Sequence, residues 1–180
     1  MPHVPAPEGV PGIVGLFATR PETARPMQEL VEVLLRGPSP LSRGERELIA
    51  AHVSKLNQTR FCEASHSAFA AAQLPEGEAL VELVKNDFRT APISAKLKSL
   101  LEIATKVQGD ARRVSKQDVE AAKAQGATDV EIHDTVLIAA AFCMYNRYVD
   151  GLAAYTPDQP EAYRQMAKII VEQGYARPIA

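Results

Sequence analysis

Tryptophan is absent from the 180 residues, and phenylalanine and tyrosine together make up only 6% of them. A core with so few large rings rests on Ala, Leu, Val and Ile, which suits closely packed helices better than a sandwich of sheets. Only two cysteines are present, Cys62 and Cys143, so the sequence carries neither a disulfide framework nor a zinc-thiolate pattern. No apolar run approaches the roughly 20 residues needed to span a bilayer. Neither sign of charge dominates: 20 Lys and Arg face 22 Asp and Glu, for a formal net charge of −2. That balance leaves no electrostatic footprint for nucleic acid or an anionic membrane, so neither is expected as a partner. The opening MPHVPAPEGVPGIVGLF has no charged n-region followed by an apolar h-region. No secretory signal is therefore expected, and a reducing cytoplasm is the expected setting, in which a free thiol is available for chemistry.

What is present is a succession of amphipathic segments. Residues 1–20 hold Pro2, Pro5, Pro7 and Pro11 with three glycines and read as an extended arm of the kind that packs on a neighbouring subunit. Residues 21–180 read as a single all-helical domain of about seven to eight helices. Met27, Leu30, Val31, Leu34 and Leu35 follow helical spacing from about Arg25 to Leu35, where Gly37, Pro38 and Pro40 end the pattern. Ser42 with Glu45 three residues on predicts a capping box opening a helix to about Asn57. Further helices are expected over Phe61–Gln73, Glu76–Asp87 and Ser94–Gln108. Ser115 with Asp118 opens a short one that stops at Gly126, and Thr128 with Glu131 opens the longest, to about Tyr155. A last amphipathic helix runs over Glu161–Gln173. No stretch alternates convincingly enough for a strand, and no internal repeat is visible.

The chemistry concentrates in ELIAAHVSKLNQTRFCEASH, residues 47–66. If the stretch after Arg60 is helical, the four-residue spacing of Cys62 and His66 stacks thiol and imidazole on one face. An imidazole beside a thiol lowers its pKa and makes a nucleophile, and a helix start helps through its unpaired N–H groups. A carboxylate behind the imidazole, the role open to Glu47, would fix its tautomer. Taken alone, a helical cysteine is a small buried hydrophobe and Glu47 a solvated helix residue. His52 is read as structural or exposed, His133 as a surface residue, and His3 as part of the arm. Asn146 and Arg147 sit within an apolar helix, where an arginine needs a partner. An ion pair, a subunit contact or a pocket wall would each serve, and Tyr145 and Tyr148 are either packing or lining.

The segments SRGERELIAAHVSKLNQTRFCEASHSAFA and VSKQDVEAAKAQGATDVEIHDTVLIAAAFCMYNRYVDGLA resemble the alkyl hydroperoxidase D-like, carboxymuconolactone decarboxylase superfamily. The second segment carries the valine-serine cap, the Gly126–Asp129 turn and the late Asn-Arg pair of that family. The resemblance implies an all-helical fold that assembles as a dimer, trimer or hexamer. Its peroxidase branch carries a Cys-x-x-Cys pair, a histidine four residues after the second cysteine and a glutamate twelve before the first. Laid on this chain, these positions are Cys62, His66 and Glu47, while Thr59 stands where the first cysteine would be. The implied mechanism is therefore a one-cysteine one. Glu47 orients His66, His66 takes the proton of Cys62, and attack on a peroxide leaves a sulfenic acid. An external thiol reductant is then needed, or Cys143 if it lies close. Thr59, Asn146 and Arg147 are the supporting residues, and the Thr59 hydroxyl is expected to reach the Cys62 sulfur.

Three functions stay open at this stage. The first is a thiol-dependent hydroperoxidase acting on a small peroxide. The second is a lyase on a lactone-like substrate with His66 as acid or base and Cys62 incidental. The third is a non-catalytic helical oligomer. No cofactor is expected. A metal held by Glu47, Cys62 and His66 ranks well below the redox reading, because no second cysteine or clustered histidine supports it.

Overall fold

The computed structural model describes residues 2–176. Among them the chain forms nine α-helices and one 3-10 turn, with no strand. The helices are α1 (Gly12–Thr19), α2 (Pro21–Arg36), α3 (Arg43–Leu56), α4 (Arg60–Ala71) and α5 (Gly77–Asp87). They continue as α6 (Ala95–Asp110), α7 (Lys116–Ala124), α8 (Asp129–Gly151) and α9 (Pro160–Gln173), with the 3-10 turn at Ala111–Arg113. The three capping boxes expected at Ser42, Ser115 and Thr128 all form, each side chain accepting from the backbone N–H three residues on. Each such cap satisfies donors that a helix end leaves unpaired, worth about 1 kcal/mol.

The helix α3 is the centre of the molecule, packed against α4, α8 and α6. Its stretch Leu48–Val53 is buried on every side. Ala50 and Ala51, fully covered, give neighbouring helices room to approach closely. The largest apolar cluster joins Leu34, Leu35, Leu48, Ile49, Leu100, Leu101 and others from α2, α3, α5, α6 and α8. A second, smaller cluster holds Leu16, Phe61, Cys62, Val149, Ala154 and Tyr163. Cys62 is thus built into an apolar seam between the N-terminal segment, α4, α8 and α9.

Two connections place the site. Between α3 and α4 the chain reverses over Asn57–Thr59, with Gln58 in the left-handed region at φ 60° and the Thr59 N–H returning to Ser54 O at 3.0 Å. That tight reversal lays α4 along α3, so Glu47 and His66 face each other from neighbouring helices. At the other end of the chain Gly174, at φ 78°, turns Tyr175 back after α9. The Tyr175 N–H donates to Glu32 Oε2 at 2.6 Å and its carbonyl accepts from Gln28 Nε2 at 3.1 Å, which pins the turn to α2.

The expected arm over residues 1–20 is shorter than the proline pattern suggests. Residues 12–19 form α1, whose Leu16 and Phe17 are buried. The segment lies on its own chain, with the His3 N–H donating to Leu152 O at 2.9 Å and the Gly12 N–H to Tyr155 O at 2.7 Å. The helix expected to reach Tyr155 stops at Gly151. Among the described residues, no helix is long and apolar enough to cross a membrane.

Candidate active site

Glu47 projects from the middle of α3 and is fully buried. Both of its carboxylate oxygens are engaged: Oε2 lies 2.7 Å from His66 Nδ1, and Oε1 accepts from the Tyr175 hydroxyl at 2.6 Å. A carboxylate only accepts, so the facing Nδ1 carries the imidazole proton and Nε2 is left as the proton-accepting nitrogen. Nε2 has no hydrogen-bond partner among the described residues, which fits a base awaiting a proton. The ring is held by aromatic edges. Phe142 stands T-shaped at 4.6 Å between centroids, Phe69 at 5.2 Å, and Tyr175 lies nearly parallel at 6.3 Å. Burial and the nearby Glu47 raise the Tyr175 phenol well above its ordinary pKa, so it stays a donor.

Cys62 occupies the first turn of α4, one turn before His66, and both line one cavity of about 390 Å³. Its walls are largely apolar: Ile13, Val14, Phe17, Phe61, Phe142 and Ile170 are among them. A volume of this size is that of a small-molecule site. The N-terminal segment, expected to reach toward a neighbour, supplies one side of this cavity through Pro7, Val10 and α1.

The sequence pattern implied a thiol made acidic by its helix start and its histidine. The structure places Cys62 otherwise: burial pushes the thiol up to about 12, against an ordinary 9.0. The nearby Asn146 amide pulls the value down and the Asp150 carboxylate adds to the rise, but desolvation dominates. That desolvation outweighs the fraction of a kcal/mol a helix start commonly supplies. Cys62 therefore rests as the neutral thiol.

The supporting residues divide. Asn146 is buried beside the sulfur, donates to Ser54 Oγ at 3.1 Å and accepts from Asn57 Nδ2 at 2.8 Å, so its amide is held in one orientation. Thr59 is fully buried, but its hydroxyl donates to Asp150 Oδ2 at 2.5 Å. Its single proton is thus committed to the carboxylate, and the expected bond to sulfur is not made. Arg147 is exposed, donates to Cys143 O of its own helix at 2.8 Å, and takes no part in the cavity. Cys143 sits against the main apolar cluster, where its sulfur accepts from Asn57 Nδ2 at 3.7 Å, while Cys62 belongs to the second cluster. Both thiols are free. His52 is buried and structural, and His133 lies on the surface, as read from the sequence. No group of three or more His, Cys, Asp or Glu able to hold a metal ion occurs among the described residues.

Three parts of the site had no signal in the sequence. Tyr175 lies beyond the last helical period, Asp150 reads as a solvated residue near a helix end, and the lining by residues 7–18 depends on a fold-back that proline-rich sequence does not announce. Each is recoverable only from the packing.

Comparison with known proteins follows the same lines. No curated protein matches the sequence significantly. Among solved structures, the chain is similar to the alkylhydroperoxidase AhpD core, an uncharacterized peroxidase-related protein of Ralstonia eutropha JMP134. The TM-score is 0.78 at 26% identity, covering 88% of this chain and 82% of that one. It is also similar to an uncharacterized peroxidase-related protein of Silicibacter sp. TM1040, with TM-score 0.77 and 28% identity over 86% of this chain and 79% of that one. The fold is accordingly alkyl hydroperoxidase D-like. Residues 21–74 and 75–156 both match the carboxymuconolactone decarboxylase family, and the chain belongs to that family.

Proposed function

We propose that the protein is a one-cysteine, thiol-dependent hydroperoxidase that reduces an organic hydroperoxide at Cys62. The observation that carries this reading is the chain Tyr175–Glu47–His66 ending on an unpartnered Nε2 in the cavity that also holds the Cys62 thiol. Because the thiol rests neutral, no thiolate is stored. The proton passes to His66 Nε2 as the sulfur attacks, and Glu47 stabilises the imidazolium that forms. The sulfur lone pair forms an S–O bond with the terminal peroxide oxygen, and the O–O bond breaks. The proton on His66 then goes to the departing alkoxide, giving an alcohol and a Cys62 sulfenic acid. With Thr59 at the resolving position and Cys143 outside the cavity lining, two equivalents of an external thiol reductant return the sulfenic acid to thiol, releasing water and a disulfide. The apolar walls favour organic over hydrogen peroxide. A homo-oligomer in the cytoplasm is part of the proposal, and the exposed apolar residues Val130, Leu137 and Met144, seven apart on α8, offer one face for it.

The raised Cys62 pKa favours a second reading, a decarboxylase-like lyase on a lactone-like substrate with His66 as acid or base and the thiol a packing group. The experiment is peroxide consumption with a small-thiol reductant. The peroxidase reading requires Cys62→Ser to abolish turnover. A lyase keeps its activity in that variant and loses it in His66→Ala.

A further inference from the structure

One polar group in the cavity takes no part in the Tyr175–Glu47–His66 chain. Ser65 follows Cys62 by three residues and precedes His66 by one on α4, is 2% exposed, and lines the cavity with both. Its side-chain oxygen has no hydrogen-bond partner among the described residues. Buried helical hydroxyls normally return their proton to the carbonyl one turn back, as Thr135 does to Glu131 O at 2.7 Å. Ser65 makes no such bond. Leaving a hydroxyl buried and unpaired costs about 1–3 kcal/mol, a cost that a ligand's oxygen atom would remove. The rest of the lining is mostly apolar, so the polar end of any occupant belongs where Cys62, Ser65 and His66 converge.

The spacing is also suited to a peroxide. Residues three apart on a helix hold their β-carbons about 5–6 Å apart, which leaves room for a two-atom O–O group between the Cys62 sulfur and the Ser65 hydroxyl. In the attack described above, negative charge develops on the oxygen that departs. That oxygen requires a donor other than the imidazole that is still accepting the thiol proton.

We propose that Ser65 Oγ–H is the catalytic hydrogen-bond donor to the departing oxygen of an organic hydroperoxide whose apolar part fills the cavity, an inference that rests on the peroxidase reading. Sulfur bonds to the terminal oxygen, the O–O bond breaks, and the other oxygen leaves as an alkoxide held by Ser65. His66 then protonates it to the alcohol, so the peroxide is reduced and Cys62 is oxidised.

The test compares Ser65→Ala and Ser65→Thr with the natural protein in two reactions and one binding measurement. In Ser65→Ala, single-turnover oxidation of Cys62 by cumene hydroperoxide falls about 100-fold, the scale of losing one oxyanion donor. Alkylation of Cys62 by iodoacetamide, which has no O–O bond to break, stays within about twofold. Ser65→Thr, which keeps the hydroxyl, recovers most of the oxidation rate. Calorimetric binding of 2-phenyl-2-propanol, the alcohol product, weakens about tenfold in Ser65→Ala, while binding of isopropylbenzene, which lacks the hydroxyl, is unchanged. Equal losses in oxidation and alkylation, or no loss in either oxidation or alcohol binding, overturn the assignment. If Cys62 of the natural protein oxidises no faster than a free thiol, the peroxidase reading falls. The alcohol-binding difference then decides on Ser65 by itself: its presence upholds Ser65 as the anchor of the cavity's ligand, and its absence rejects it.

Discussion

Replacing Tyr175 by phenylalanine removes a single oxygen from the site. The ring stays beside His66, and the two bonds that pin the turn, Tyr175 N–H to Glu32 and Gln28 to Tyr175 O, are made by main-chain atoms and persist. What is lost is the 2.6 Å donation to Glu47 Oε1, on a carboxylate with no exposure to solvent. A hydrogen bond to a charged group contributes about 1.5–3 kcal/mol, and a buried acceptor left without a donor carries its full desolvation penalty. The expected loss of folding stability is therefore about 2 kcal/mol. For a chain of this size that corresponds to a melting temperature lower by about 4–8 °C. Urea denaturation at constant m-value measures the stability, and a double-mutant cycle with Glu47→Gln isolates the pair. A coupling of about 1–2 kcal/mol is expected. A cost below about 0.5 kcal/mol, or a coupling near zero, refutes the claim that Tyr175 holds the carboxylate that orients His66.

Three further outcomes follow from local structure. His52 is buried against Phe88 with its Nε2 on the Thr105 hydroxyl, and burial together with Lys55 and Arg89 lowers its pKa from 6.5 to about 4. The unfolded chain then takes up this proton at higher pH than the folded one, so the stabilisation present above pH 6.5 is lost as pH falls through about 4. The His52 share of that loss is about 3 kcal/mol, read as the difference in acid unfolding between the natural protein and His52→Gln. Gly12 has φ 55°, and a β-carbon there would lie 2.0 Å from the Phe61 ring that lines the cavity. Gly12→Ala should cost about 2–4 kcal/mol in thermal unfolding and weaken binding of 2-phenyl-2-propanol, whereas an unchanged melting temperature would contradict the close approach of α1 to α4. Cys143→Ser should leave the first oxidation of Cys62 unchanged in rate by mass spectrometry, since Cys62 lines the cavity and Cys143 does not.

Local rules reach some parts of this molecule and not others. Ser42, Ser115 and Thr128 mark helix starts because a cap is a contact between residues three apart, entirely local. The pairing of Glu47 with His66 was legible only through the family pattern, since the bond joins two helices. The helix α1 is not legible in sequence because its proline- and glycine-rich surroundings argue for extended chain, while the burial of Leu16 and Phe17 overrides that preference. Arg147 looks in need of a partner in sequence because α8 is apolar nearly all round. One of its faces, bearing Val130, Leu137, Met144 and Arg147, nevertheless points outward. The thiol's acidity is not legible from spacing for a physical reason. Spacing reports the neighbours that stabilise a thiolate but says nothing of desolvation, and at Cys62 desolvation is the largest contribution.

Sulfenic acid trapping tests the central claim most directly. Reduced protein receives one equivalent of cumene hydroperoxide with a dimedone-type reagent, and the labelled site is located by mass spectrometry alongside His66→Ala and Glu47→Gln. Labelling at Cys62, faster than for a free thiol and slowed in both variants, is the expected result. Labelling no faster than a free thiol, or unaffected by either substitution, would mean that the buried thiol of Cys62 is a packing group and that His66 serves some other chemistry.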